Sequence, residues 1–158
     1  PFSNNYHINM VHVDASGVYF SGLHTRALLK LSADTSIYQV CSLPEGTHNA
    51  RPFMEGVIFN DTRSDVIRYV ARAGDSVMFE VPKYKTEELE FFGVDSSKVA
   101  RQAFGRGLCL LDNALVAAGS SPSTVTLYDF KSKTRVAVVN LTMDIRNAIH
   151  GLEIWPFK

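Results

Sequence analysis

The sequence predicts an all-β fold of the β-propeller type, with about three four-stranded blades, one further strand and a short helical insert. Three observations predict it. Nearly every apolar stretch is strand-sized, rich in β-branched or aromatic residues, and closed by turn residues at intervals of about 8–12 positions. These stretches recur as units of about 40 residues with four strands each, the make-up of a propeller blade. Finally, 158 residues with 46% apolar, 20% charged and 11% aromatic content suffice for a packed core, which excludes both a disordered chain and a disulfide-stapled miniprotein. A β-sandwich with similar strands is the competing architecture.

The first unit spans about 7–43. Ile8 to Val13 alternates and meets the turn Asp14-Ala15-Ser16-Gly17, and Val18-Tyr19-Phe20, Ala27 to Leu31 and Ser36 to Cys41 follow as strands. Asp, Ser and Gly in the turn supply local hydrogen bonds and backbone freedom. The second unit, about 47–83, carries Gly56-Val57-Ile58-Phe59, Asp65 to Val70 and Ser76 to Val81. The third, about 104–142, carries Leu108 to Leu111, Ala114 to Ala118, Thr124 to Phe130 and Arg135 to Leu141. Gly17-Val18-Tyr19-Phe20, Gly56-Val57-Ile58-Phe59 and Ala114-Leu115-Val116-Ala117 are matched as the corresponding second strands.

Between the second and third units, about 84–103 differs in kind. Thr86-Glu87-Glu88 offers a cap and an acidic first turn, and Asp95-Ser96-Ser97 offers a second cap. One or two short helices or a structured loop are expected there. Residues 147–156 read as the first strand of a fourth unit, so the chain is about half of a six-bladed ring.

Sixteen basic residues balance sixteen acidic ones, which removes the electrostatic case for a nucleic-acid partner. No run approaches the roughly 18 apolar residues of a membrane span, and no charged-then-apolar leader opens the chain. Cys41 and Cys109 form no metal or disulfide spacing pattern, which fits core thiols in a reducing, cytoplasmic setting.

The repeat brings particular residues together. The innermost strand of each blade lines the central channel, and aligning the units puts His7, His48, Arg106 and His150 at its entrance, with a shift of two residues needed for His7. Two chemical readings follow. Three neutral imidazoles, His7, His48 and His150, with one open position would make a divalent-metal Lewis-acid site. Arg106 would then orient a carboxylate or phosphate of the substrate. Without a metal, His48, Arg106 and His150 with Asn9, Asn49 and Arg51 make a polar pocket for a small polar or anionic ligand. The plainer alternative is that these side chains bond neighbouring carbonyls and water.

Other segments carry less. Asp61-Thr62-Arg63-Ser64-Asp65 has the composition of a hairpin turn, and His24 sits in a turn between strands. Gly119-Ser120-Ser121-Pro122-Ser123 lacks the Gly-x-Ser-x-Gly nucleophile elbow. Gly105-Arg106-Gly107 lacks the third glycine of a dinucleotide site, since Leu110 stands in its place. Asn60-Asp61-Thr62 and Asn140-Leu141-Thr142 match the glycosylation triplet but lie in or beside strands.

The motif series His7-x-Asn9, then Thr47-His48-Asn49-Ala50-Arg51, then Gly105-Arg106-Gly107-Leu108 resembles a family of uncharacterised, mostly bacterial proteins expected to be six-bladed β-propellers. Its strand motifs, His-x-Asn, His-x-x-Arg and Arg-Gly-Leu, match His7 and Asn9, then His48 and Arg51, then Arg106 and Gly107. Thr47 and Ala50 depart from the prolines of that pattern. The resemblance implies a fold and no activity.

The leading expectation is a binding propeller whose channel mouth holds a small polar or anionic ligand. The enzyme alternative places a divalent metal on the same histidines for a lyase, hydrolase or epimerase step, and the third is a protein-interaction scaffold. Three blades and a strand cannot close a ring and would expose strand edges. The expected partner is therefore a second copy, or a missing N-terminal half that is a separate chain or was cleaved away, since this chain, beginning Pro1-Phe2-Ser3, reads as processed or as a piece of a longer one.

Overall fold

A computed structural model describes residues 5–93 and 100–157. Twelve strands run in chain order: β1 (Ile8–Asp14), β2 (Gly17–Gly22), β3 (Ala27–Leu31), β4 (Ile37–Ser42), β5 (Thr47–Phe53), β6 (Gly56–Asp61), β7 (Val66–Ala71), β8 (Ser76–Glu80), β9 (Gly107–Leu110), β10 (Leu115–Ser120), β11 (Thr124–Asp129) and β12 (Thr134–Asn140). They form three four-stranded antiparallel meanders, β1 to β4, β5 to β8 and β9 to β12, each in sequence order.

Short-range side-chain chemistry makes the hairpins. Asp14 Oδ1 accepts from the Ser16 N–H at 2.7 Å and the Ser16 hydroxyl at 2.6 Å, and Asp34 does the same for Ser36. Asp112 accepts from the Ala114 and Leu115 N–H groups, and Asp129 from those of Lys131 and Ser132. Each aspartate thereby satisfies backbone donors that the turn removes from the ladder. These bonds favour the ionised carboxylates, and all four are held below their ordinary acidity range.

The sheets stack face to face as propeller blades do. Met10, Tyr19 and Leu28 of the first sheet pack on Ala50 and Phe59 of the second. The opposite face of the second sheet, with Phe53, Ile58, Ile67 and Tyr69, packs on Leu108, Val116, Ala118 and Tyr128 of the third. Leu28 and Ile58 are fully buried, and each such side chain stabilises the fold by about 1.5–3 kcal/mol relative to exposure. The first strands of successive sheets, β1, β5 and β9, are neighbours, so the inner edges of the three blades form one wall.

The bulges in that wall have a repeated use. β1 is irregular between Ile8 and Met10, and β5 between His48 and Arg51. Asn9 lies in the first irregularity and its amide donates to the Thr47 carbonyl at 3.0 Å. Asn49 lies in the second, with φ +53°, and its amide donates to the Arg106 carbonyl. Asparagine tolerates the left-handed backbone of a bulge and carries a donor long enough to reach the next inner strand. Two such clips join the three blades.

Two features differ from the sequence reading, at residues 147–156 and in the register of the third blade. Residues 147–156 are not a strand: among the described residues they pair with no second strand, and an isolated strand does not hold. The segment crosses the end of the third blade instead, where Ile149 accepts from the Gly107 N–H at 2.8 Å and donates to Ser120 at 3.3 Å. Within 84–103, the described residues contain only one 3-10 turn, Thr86–Glu88, and the cap at Asp95 lies outside the described residues. The insert is tied down by a parallel bridge from Glu90 to Asp144 and by the Arg146 guanidinium, 3.6 Å from the Phe91 ring centroid. Finally, Leu115 rather than Ala114 corresponds to Gly17 and Gly56. Val116 and Ala118 face the preceding blade, as Val57 and Phe59 do, and a one-residue slip would reverse those faces.

The first blade has one uncovered face. Val11 pairs with Phe20, and Val13 with Val18, Leu31 and Ile37 in one row across the sheet. Val11, Val13 and Ile37 are 65%, 68% and 60% exposed, whereas Phe59, the second blade's counterpart of Phe20, is buried by the first. Among the described residues no helix is long and apolar enough to cross a membrane.

Candidate functional site

At the end of the inner wall where β5 and β9 begin, His48, Phe104, Arg106 and His150 converge. His48 enters at the second residue of β5 and is buried. Its Nδ1 lies 3.3 Å from the Gly46 carbonyl and 3.4 Å from the Thr62 hydroxyl, and the Thr62 hydroxyl itself donates to Gly46. Nδ1 therefore carries the proton and Nε2 is the ring's acceptor. Burial first, then the Arg106 charge and the nearby His7 and His150, push the His48 pKa down to about 4. The ring is neutral at pH 7.

Phe104 is the plate on which the site is built. The His48 ring meets it edge-on at 5.7 Å between centroids, and the Arg106 and Arg101 guanidinium carbons stand 4.3 and 5.0 Å from its centroid. Cation–π attraction holds both cations against the ring face. Arg101 is otherwise occupied, since it pairs with Asp65 and donates to the Thr62 carbonyl. The signal that could have found this plate is the spacing Arg101-x-x-Phe104-x-Arg106.

Arg106 is the unneutralised charge. Its N–H and carbonyl are fixed by Gly119 (2.9 Å) and by the Asn49 clip, which aims the side chain along the mouth. None of the ion pairs among the described residues involves it, and its Nε is buried without an acceptor. Burial lowers its pKa but leaves an arginine charged at any working pH. Nη1 approaches the His150 ring nitrogens at 3.0 and 3.1 Å. Partial burial and that neighbouring charge lower the His150 pKa as well, so His150 meets Arg106 as a neutral acceptor.

The structure brings His48, Arg106 and His150 together with His7 and Asn49 beside them, and places Arg51 in a different cleft. His7 lies near enough to act electrostatically on His48, with its ring 6.4 Å from that of His24. Asn9 and Asn49 direct their amide donors to backbone carbonyls of the next inner strand. Arg51 stands three residues further along β5, in a cleft with Cys109 and Glu153. Among the described residues no group of three or more His, Cys, Asp and Glu side chains is placed to hold a metal ion.

Comparison with known proteins adds the following. No protein-family model matches the chain, including any for the family that the His-x-Asn, His-x-x-Arg and Arg-Gly-Leu motifs suggest, and no curated protein matches. Among solved structures, the chain is similar to virginiamycin B lyase from Staphylococcus aureus, with 12% identity and a TM-score of 0.45 over 80% of this chain and 42% of that one. A catalytically inactive variant of that enzyme with quinupristin matches at 13% identity and a TM-score of 0.45, over 81% and 43% of the two chains. A streptogramin B lyase structure matches at 13% identity and a TM-score of 0.43, over 81% and 42%. The chain thus spans about two-fifths of the length of these structures, and its propeller architecture stands on its own blade order and face-to-face packing.

Proposed function

We propose that the chain is a propeller binding module whose channel mouth takes the anionic group, carboxylate or phosphate, of a small polar ligand. One observation carries this reading: Arg106 is a partly buried guanidinium, oriented at both its backbone groups, with a buried unpartnered Nε and, among the described residues, no carboxylate paired to it. A charge-assisted hydrogen bond to an oxyanion would satisfy it. His48, kept neutral, adds a ring nitrogen that accepts from a ligand hydroxyl without competing for the anion, while the acceptor nitrogen of His150 is taken by Arg106.

A thermal-shift and calorimetric screen of sodium phosphate, sulfate, citrate and gluconate tests the proposal. At least one salt is expected to stabilise the wild type, with affinity reduced about 10-fold or more in Arg106→Gln. Equal binding by the variant, or no stabilisation by any of the four, would overturn it. Neutral histidines are also the form that ligates a divalent metal, but a guanidinium in contact with His150 repels a cation from that position. Titration with zinc or manganese in the same assay decides between the two occupants.

The open face of the first blade completes the proposal. Phe20 and Val11 stand where a neighbouring blade covers Phe59, Leu108 and Ala118 elsewhere in the molecule, and a four-stranded blade from a second copy or a longer chain would cover them.

A further inference from the structure

The inner wall carries a second polar level, distinct from the mouth. His12 of β1, Arg51 of β5 and Cys109 of β9 occupy one position of the repeat, since each pairs with the third residue of the next strand, Tyr19, Ile58 and Ala117 respectively. The segment that crosses the third blade brings Glu153 to the same level, with Oε1 4.0 Å from Cys109 Sγ. With Val11, Val13 and Leu110 these residues line a cleft of about 270 Å³. It lies three residues along β5 from His48, at most about 10 Å at the rise of an extended chain.

Two opposite charges stand in this cleft without pairing to each other. Arg51 has a buried Nε with no acceptor, and neither Arg51 nor Glu153 belongs to an ion pair among the described residues. Among the described residues Glu153 Oε1 accepts from the Ile154 N–H at 3.0 Å and, weakly, from the Cys109 thiol. The two charges still sense each other: burial lowers the Arg51 pKa while Cys109 and Glu153 raise it. His12 is engaged elsewhere, its Nε2 3.3 Å from Asp14.

This differs electrostatically from the mouth. There a single cation is unneutralised, which favours an anion. Here the charges balance but are held apart, so a simple ion satisfies one and is repelled by the other. A molecule bearing both charges satisfies both. The remaining lining is aliphatic.

We propose that this cleft binds a small zwitterion of the α-amino-acid type, with its carboxylate on the Arg51 guanidinium, its ammonium on the Glu153 carboxylate and its apolar side chain beside Leu110. The cleft stands independently of the anion-binding mouth.

The test is calorimetric titration with L-alanine, L-valine and L-leucine, then with the methyl ester and the N-acetyl derivative of the tightest binder. The free amino acid should bind, and removing either charge from it should weaken binding at least 10-fold. Arg51→Gln and Glu153→Gln should each do the same, whereas Arg106→Gln should leave amino-acid affinity unchanged while weakening the mouth's anion binding about 10-fold or more. Because Glu153 is exposed, its variant folds even if Arg51→Gln does not, and the two capped ligands decide on the wild type alone. No binding of the three amino acids at millimolar concentration, equal binding of the ester, or wild-type affinity in Glu153→Gln would overturn the proposal.

Discussion

Burial of His48 makes stability depend on pH in a defined window. The folded ring has a pKa of about 4, against an ordinary value of 6.5. As pH falls below about 6.5 the unfolded chain takes up a proton on this residue, whereas the folded chain does not until about pH 4. Protons therefore favour unfolding between these values, and stability falls as pH falls through the window, then levels off below it. At about 1.4 kcal/mol per pH unit of separation, the loss from pH 7 to pH 4 comes to about 3 kcal/mol, a large share of the stability of an ordinary domain. The assay is urea unfolding at pH 7, 6, 5 and 4 on the wild type and on His48→Gln, which cannot titrate. Aspartates in the turns titrate equally in both proteins, so the difference between the curves isolates His48. That difference should shift in favour of the variant by about 3 kcal/mol as pH falls to 4. Parallel curves would refute the reasoning, because they would mean that the ring titrates at an ordinary pKa and is not desolvated.

Two further perturbations test how the site is positioned. A Cβ at Gly119 would lie 2.5 Å from Ile149 Cγ2 and 2.7 Å from its carbonyl oxygen, so Gly119→Ala should detach the segment that carries His150. It should cost about 1–3 kcal/mol and open a new proteolytic site after Arg146; resistance equal to the wild type would contradict this. At the bulge, Asn49→Ala should lose the clip bond and incur a left-handed backbone penalty, together about 2 kcal/mol by urea midpoint. Asn49→Gly should recover the backbone part, and a glycine variant no more stable than the alanine one would show that φ +53° is not a source of cost.

The strands of all three sheets and the Asp-bounded turns were legible because both are local. Period-2 alternation selects a strand, and an aspartate two or three residues before a backbone donor selects a turn, whatever the chain does elsewhere. The repeat also suggested His48 and Arg106 as neighbours at one channel end, although in register His48 corresponds to Gly107, one residue past Arg106, and His150 reaches them on the crossing segment rather than on a blade strand.

Tertiary structure alone decided the rest. Asn9 and Asn49 read as ligand groups, but the bulges in β1 and β5 turn them toward the carbonyl of the next inner strand. A bulge shifts register by one residue, and no local pattern announces it. The same shift carries Arg51 away from the mouth and down to Cys109 and Glu153. Residues 147–156 have a strand's composition, yet a strand exists only where a second edge offers hydrogen bonds, and the third blade offers this segment a crossing instead. Composition and spacing therefore determined what each segment of the chain can become locally. Which side chains meet depended on register and on partners about 40 residues apart in the repeat, and only the packed structure supplies those.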